Sequence, residues 1–210
     1  MTLTVEAVAA VSGDAVSEEA ASEQASRLIR SNLALVQEEI TRTAAGINPG
    51  QLALLAGELR GAQRVFVAGA GRSGLVLRMA AMRLMHLGLD VHIAGDTTTP
   101  AIRSGDVLLL ASGSGITSGV VRAAQTAAKA GARLAVYTAN PDSPLAELAD
   151  VVVTIPAAQK TDHGSALSAQ YSGSLFEQVL FLASEAVFQT LWDHDATPAE
   201  ELWLRHANLE

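Results

Sequence analysis

A regular alternation of short apolar segments and helical segments fills the middle of the chain and limits the possible folds. Five segments of five to seven residues are dominated by Val, Leu and Ala. Strands that are apolar on both sides are typical of parallel sheets covered by helices on both faces. The alternation therefore predicts an α/β three-layer sandwich with right-handed crossovers. The predicted strands are RVFVA (64–68), VHIAG (91–95), DVLLLAS (106–112), RLAVYT (133–138) and VVVTIP (151–156).

Helical patterns flank this alternation. We predict a long amphipathic helix from Ser17 to Ala45, a second from Pro49 to Leu59, and a third from Ser174 to Trp192. Thr197-Pro198-Ala199-Glu200 has the pattern of a capping box and predicts a last helix. Residues 1–14 lack turn chemistry and clear periodicity, so we expect a flexible arm there and a single domain over residues 15–210.

Composition excludes several classes of function. The chain has 210 residues, a net charge of −8 and only 14 Lys and Arg residues, so a nucleic-acid partner is not expected. It has no cysteine, which excludes disulfides and thiolate metal sites, and no histidine spacing indicates a metal site. No charged signal region and no apolar run near roughly 20 residues is present, which predicts a cytoplasmic protein without membrane contact.

The motif GAGRSG, residues 69–74, lies between the first predicted strand and the following helix. It matches G-x-G-x-x-G, the phosphate turn of dinucleotide-binding folds, and Asp96 follows at the distance of a ribose-binding acid. The same motif is also compatible with a loop that binds a smaller phosphate compound, or with a tight strand-to-helix turn that binds no ligand. The motif alone does not separate these three interpretations.

Two further polar segments leave the same edge of the predicted sheet. SGSGITSG (112–119) offers hydroxyls and flexible glycines just before a helix N-terminus, where free N–H groups favour an anion. Such a loop can hold phosphate without cations, although a Ser/Gly-rich connecting turn with a capping hydroxyl has the same appearance. GDTTTP (95–100) is the other segment, and its Thr98 is a candidate substrate contact.

Taken together, these motifs resemble the sugar isomerase (SIS) family, with its five-stranded parallel sheet in flavodoxin-like order. GRSG and the pattern S-x-S-G-x-T at residues 112–117 carry the general resemblance. AMRLMHLG (81–88), GDTTTP, NPDSPLA (140–146) and RHANLE (205–210) resemble more narrowly the 6-phospho-3-hexuloisomerase branch, from the ribulose monophosphate pathway of formaldehyde fixation. The match covers about residues 25–210. Ile116 departs from the family, many of whose members have an acidic residue there, so no carboxylate at that position can act as a base.

The resemblance implies a reaction and a pocket. The reaction would interconvert D-arabino-3-hexulose 6-phosphate and fructose 6-phosphate through an enediolate, with no redox cofactor and no obligatory metal. Ser73 and the amides around Gly71 would face the sugar. Arg72 either contacts the substrate or is only an exposed side chain of the turn. The resemblance assigns the phosphate to three hydroxyls, those of Ser112, Ser114 and Thr117.

Two residues are candidates for moving protons. Glu177 is the candidate base by resemblance, whereas Ser174-Leu175-Phe176-Glu177 on its own is a capping-box pattern. His206 is the candidate acid, although a histidine near a chain end is commonly a loose surface residue. We expect the C-terminal tail to enter a neighbouring subunit's site in a homo-oligomer, most simply a tetramer, and expect functional coupling to 3-hexulose-6-phosphate synthase.

Three alternatives remain open from the residues. Another SIS aldose-ketose isomerase, such as an arabinose-5-phosphate isomerase, often carries nucleotide-sensing domains after the SIS domain. A non-catalytic sugar-phosphate-binding SIS module often accompanies a DNA-binding helix-turn-helix. Neither companion is expected from these 210 residues. A dinucleotide-dependent dehydrogenase would explain the motif GAGRSG, but it assigns no function to the segment SGSGITSG.

Overall fold

The computed structural model describes residues 5–158, 168–171 and 173–209, with side chains from residue 20 onward. It contains two compact units, residues 1–39 and residues 40–210. Most of one long helix forms the first unit, and the second holds the sheet. The elements are α1 (Val5–Ala45), α2 (Pro49–Gly61), β1 (Val65–Gly69), α3 (Gly71–His86), β2 (Val91–Ile93), β3 (Val107–Ala111), α4 (Ser118–Lys129), β4 (Arg133–Thr138), α5 (Pro144–Glu147), β5 (Val151–Thr154), α6 (Ser174–Asp195) and α7 (Ala199–Trp203).

The sheet has five parallel strands in the order β2-β1-β3-β4-β5. This confirms the predicted α/β class and the flavodoxin-like order. The central strand β3 is buried at every position, as expected for an apolar strand with helices on both faces. The order changes direction between β1 and β3, which sends the helices that follow these two strands to opposite faces.

Two apolar clusters, one on each face of the sheet, form the core of the second unit. The larger cluster joins β-strand residues to α2, α3 and α6, with Leu55, Leu77 and Leu180 almost fully buried. The smaller cluster packs α4 and α5 on the other face, around Leu110 and Leu145. Small residues of α4 such as Ala124 allow this helix to lie close to the sheet. Both layers therefore hold the first turns of α3 and α4 at the same edge of the sheet.

Local signals set the starts of two helices, and α2 begins at Pro49 as predicted. Asn48 caps α2 by accepting a hydrogen bond from the Gly50 N–H at 2.8 Å, and Pro49 occupies the first helical position. The Ser143 hydroxyl likewise accepts from the Ala146 N–H at the start of α5. Among the described helices, none is long and apolar enough to cross a bilayer.

Other predicted helix ends were wrong. Helix α1 begins at Val5 rather than Ser17, so residues 5–14 are helical, while the domain boundary at residue 15 stays a prediction. The predicted capping box at Thr197 does not form, because its hydroxyl donates to the Asp195 carboxylate and α7 has no side-chain cap. Helix α6 continues to Asp195, beyond the predicted end at Trp192.

Candidate active site

A small cavity opens at the carboxyl edge of the sheet, where β1 and β3 diverge into α3 and α4. Ligands bind at this position in open α/β sheets, because the loops after the two strands separate there. The cavity has a volume of about 190 Å³. It brings together the two predicted phosphate loops and the start of α6, and its lining residues are Ala70, Gly71, Ser73, Ala111, Ser112, Gly113, Ser114, Thr117, Ala158, Gly173 and Phe176.

The glycines of GAGRSG are required by the backbone itself. A Cβ atom on Gly74 would lie 2.5 Å from the Gly69 carbonyl oxygen, so only glycine lets α3 approach the end of β1 this closely. Gly71 has a positive φ of 57°, which turns the chain from strand to helix. The close turn explains the motif without a dinucleotide. Asp96, the residue that a dinucleotide would need, is instead paired with Arg78 at 2.7 Å.

The second loop presents its three hydroxyls to the cavity. Ser112 and Thr117 lie 3.0 Å apart between their hydroxyl oxygens, and all three predicted phosphate residues line the cavity. Thr117 precedes the first turn of α4 and makes no side-chain capping bond. Its hydroxyl is therefore not used as a cap, while the first N–H groups of α4 point out of the helix start. This arrangement can receive a phosphate dianion without lysine.

The segment after β4 supports this loop from behind. Gly115 has a φ of 67°, and a Cβ atom there would lie 1.9 Å from the Ser143 hydroxyl oxygen. The Thr138 hydroxyl donates to the Gly113 carbonyl at 3.3 Å, and the Leu145 N–H donates to the Gly115 carbonyl at 3.2 Å. These contacts explain why NPDSPLA accompanies the phosphate loop: it fixes the shape of the loop without entering the cavity.

Glu177 lies at the junction of α3 and α6 and does not cap its own helix. Its side chain is 3% exposed. The Ser73 hydroxyl donates to one carboxylate oxygen at 3.4 Å, and the Arg72 Nε lies 3.2 Å from the other. Helix α6 has Gly173 at its N-cap, with no side-chain capping bond. The capping interpretation is therefore wrong, and Glu177 faces the residues of the first loop.

Arg72 connects the first loop to the start of α6. Besides its contact with Glu177, its Nη1 donates to the Ser174 hydroxyl at 3.1 Å. Its side chain is 57% exposed, so the guanidinium lies at the mouth of the site rather than in the core. In this position it orients the carboxylate of Glu177 and remains accessible to an anionic ligand.

Four predicted site residues are not among the lining residues of the cavity. Arg72 and Glu177 adjoin the cavity beside Ser73, whereas Thr98 and His206 lie elsewhere. Thr98 is exposed in the turn after β2 and is not among the lining residues. His206 stacks on His86 with 4.0 Å between ring centroids. His86 ends α3, whereas Ser73 begins it, so His206 lies about 20 Å from the pocket of its own chain.

Phe176 belongs to the site and was not predicted. Its ring forms part of the cavity wall, and a Cβ atom on Gly113 would lie 3.4 Å from that ring. Its position in the first turn of α6, the helix that also carries Glu177, was the available signal. Among the described residues, no group of three or more His, Asp or Glu side chains could hold a metal ion.

Comparisons with known proteins agree with this architecture. The SIS domain model matches residues 58–182. A 3-hexulose-6-phosphate isomerase of Mycobacterium gastri is 71% identical over 182 residues, covering 87% of this chain and 92% of that protein. A protein of the same name from Bacillus subtilis (strain 168) is 37% identical over 179 residues, covering 85% and 97%.

A solved structure gives the same picture. The crystal structure of a Methanococcus jannaschii protein, for which a molecular function of 3-hexulose-6-phosphate isomerase was inferred, superposes with a TM-score of 0.73. Its sequence identity is 27%, and the alignment covers 86% of this chain and 99% of that one. The family model and the two relatives lead to one conclusion: this chain belongs to the SIS domain family.

Proposed function

We propose that this chain is an isomerase that interconverts D-arabino-3-hexulose 6-phosphate and fructose 6-phosphate. The observation that carries the proposal is the buried Glu177 carboxylate, held by Ser73 at the same cavity that Ser112 and Thr117 line. An isomerase of this kind needs a base beside the reacting carbon and a separate anchor for phosphate. The choice of substrate rests on the relatives, of which one is 71% identical.

The reaction follows from where the two loops lie. Ser112, Ser114, Thr117 and the N–H groups at the start of α4 anchor the phosphate. Ser73 and the amides around Gly71 then face the sugar, and Arg72 lies at the mouth of the site. Glu177 removes the proton from C2 of the 3-ketose, which gives an enediolate across C2 and C3. Returning the proton to C3 leaves the carbonyl at C2, and no redox cofactor takes part.

The enediolate also needs a group that moves a proton between the two sugar oxygens. We assign this role to His206 of a second copy of the chain, because His206 lies far from the pocket of its own chain. The site is then shared between subunits of a homo-oligomer, for which we propose a tetramer. Thr98 remains a candidate substrate contact only within such an assembly.

The proposal extends to the surroundings of the enzyme. Residues 15–210 would form the isomerase domain, acting in the cytoplasm. Its substrate is the product of 3-hexulose-6-phosphate synthase, so functional coupling to that enzyme is expected. These statements rest on the proposed reaction.

A coupled assay tests the function directly. Purified protein is mixed with 3-hexulose 6-phosphate, and the fructose 6-phosphate formed is followed through a coupling enzyme. We expect turnover that is at least about 100-fold faster than with the Glu177→Gln variant. Arabinose 5-phosphate is the matched control substrate. Turnover of arabinose 5-phosphate alone would favour the other SIS isomerase, and sugar-phosphate binding without any turnover would favour a binding module.

A further inference from the structure

Among the residues that the structure describes, the wall of the active-site cavity contains a single bulky side chain. Ten of the eleven lining residues are Ala, Gly, Ser or Thr, and the eleventh is Phe176. Short side chains leave the shape of the wall to the backbone, whereas an aromatic ring fills space of its own. The volume of about 190 Å³ therefore depends on Phe176 more than on any other side chain in the wall.

The ring of Phe176 has a fixed position beside the loop of residues 112–117, here called the hydroxyl loop. Phe176 is 3% exposed and belongs to the larger apolar cluster of the core. A Cβ atom on Gly113 would lie 3.4 Å from two carbon atoms of the ring, so the ring packs directly on the backbone of this loop. Side chains in a close-packed interior keep their rotamers on the time average. The ring is therefore a rigid part of the cavity wall.

Phe176 and Glu177 are consecutive residues of α6, and they contact different loops. Phe176 packs on Gly113, which belongs to the loop after β3. Glu177 accepts a hydrogen bond from Ser73, which belongs to the loop after β1. The first turn of α6 thus fixes the distance between the carboxylate and the hydroxyl loop. A ligand that reaches both of them must lie along the ring of Phe176.

We propose that Phe176 determines the longest sugar phosphate that the site accepts. This inference rests on the proposed function, in which the hydroxyl loop holds the phosphate while C2 lies beside Glu177. In a seven-carbon 2-ketose 7-phosphate, one more carbon lies between the same two groups, so the chain must bulge toward the wall. The rest of the wall is backbone and short side chains, which leaves the ring as the part whose removal makes room. The ring therefore excludes the longer sugar.

Shorter sugars are excluded for a different reason. In a five-carbon 5-phosphate, one carbon fewer separates the phosphate from the reacting carbons, so the ligand cannot reach the hydroxyl loop and Glu177 together. Removal of the ring does not shorten the distance between these two groups. Phe176 therefore discriminates against longer ligands and not against shorter ones. This asymmetry distinguishes its role from a general loosening of the site.

Calorimetry on the full chain tests the inference with fructose 6-phosphate, sedoheptulose 7-phosphate and arabinose 5-phosphate. The wild-type protein should bind fructose 6-phosphate at least about tenfold more tightly than the seven-carbon sugar. Phe176→Ala should reduce this ratio to about threefold or less, and Phe176→Leu should give an intermediate ratio. The preference for fructose 6-phosphate over arabinose 5-phosphate should stay unchanged. Phe188→Leu is the matched control and should keep both ratios, because Phe188 is a buried ring of the same helix that packs near Trp192 and not at the cavity.

The leucine variant keeps most of the core filled, so it decides the question even if the alanine variant does not fold, and circular dichroism checks the fold of each variant. An unchanged ratio of six-carbon to seven-carbon affinity in the folded Phe176 variants would overturn the inference. An equal fall in Phe188→Leu, or a wild-type protein that binds both sugars alike, would overturn it as well. Because the measurement is binding, absence of isomerisation by the wild-type protein would reject the proposed function, while the affinity ratios still decide the role of Phe176.

Discussion

The Ser73 hydroxyl donates to the Glu177 carboxylate at 3.4 Å, although 104 residues separate the two in the chain. This contact joins the first turn of α3 to the first turn of α6. It places the one buried carboxylate near the cavity, among the described residues, next to a loop that also offers the Ser73 hydroxyl and the Arg72 guanidinium. The predictions below follow from this junction and from the elements that support it.

Replacing Glu177 by Gln should reduce isomerisation at least about 100-fold, because the amide cannot accept a proton from carbon. The substitution keeps the size and one acceptor oxygen, so calorimetry should still detect binding of fructose 6-phosphate. Ser174→Ala is the control, since it removes the second partner of Arg72 but no base. Near wild-type turnover in Glu177→Gln would show that this carboxylate has only a structural role.

Ser112→Ala and Thr117→Ala should each raise the KM for the phosphorylated substrate. Each removes a hydrogen bond to a charged group, worth roughly 1.5–3 kcal/mol, so we expect an increase of roughly tenfold to a hundredfold. Thr126→Ala is a matched control on the same helix, because that hydroxyl only donates to the Arg122 carbonyl. Unchanged KM values in both loop variants would mean that the phosphate binds elsewhere.

Gly115→Ala should destabilise the protein by about 2–5 kcal/mol, since the new methyl group meets Ser143 and the backbone has a positive φ. Denaturant unfolding measures the change. Gly57→Ala is the contrasting variant, because nothing lies within 4 Å of its added Cβ and it is inside a helix. That variant should be more stable than wild type by about 0.5–1 kcal/mol. If both variants unfold alike, Ser143 does not constrain the loop.

Stability should fall as the pH drops below about 6.5, the ordinary pKa of histidine. Burial, then the charges of His206 and Arg83, lower the pKa of His86. The folded protein therefore binds fewer protons than the unfolded chain in this window, and protonation favours unfolding until the pH is below the lowered pKa. His86→Phe keeps an aromatic ring against His206 but removes the titrating group. The thermal unfolding midpoint of this variant should therefore change less with pH between pH 7 and 5, roughly the window in which histidine titrates. An unchanged slope would assign the effect to other groups.

Mixing two inactive variants tests whether the site is shared. Glu177→Gln and His206→Ala chains are combined under conditions that allow subunit exchange, and hybrid formation is verified with a mass tag on one variant. Hybrids contain some sites with both groups intact, so activity should return. A mixture with proven exchange and no activity would place both groups in the same chain.

Deleting residues 205–210 should abolish activity while circular dichroism shows an intact α/β unit.

The sequence by itself determined the layered architecture and the glycine turns that shape the cavity. Apolar strands buried on both sides require helices on both faces, so β1 to β5 could be located from composition and spacing alone. Gly69 and Gly74 allow a close backbone contact and Gly115 leaves room for the Ser143 side chain, and such contacts depend on residue type at fixed positions. Ser112, Ser114 and Thr117 line the cavity, while their role in holding phosphate stays a prediction.

Only the tertiary structure decided which polar side chains act together. The sequence S-L-F-E at residues 174–177 indicates a capping box at the start of α6. In the structure, Gly173 occupies the N-cap position, and the packing of α6 against α3 places Glu177 beside Ser73 and Arg72. Thr98 was predicted from its segment at the same sheet edge and His206 from the resemblance, and in the single chain neither lines the pocket. The reason is physical: local sequence fixes backbone conformation through sterics and burial, whereas side-chain partners across 104 residues depend on how helices pack in three dimensions.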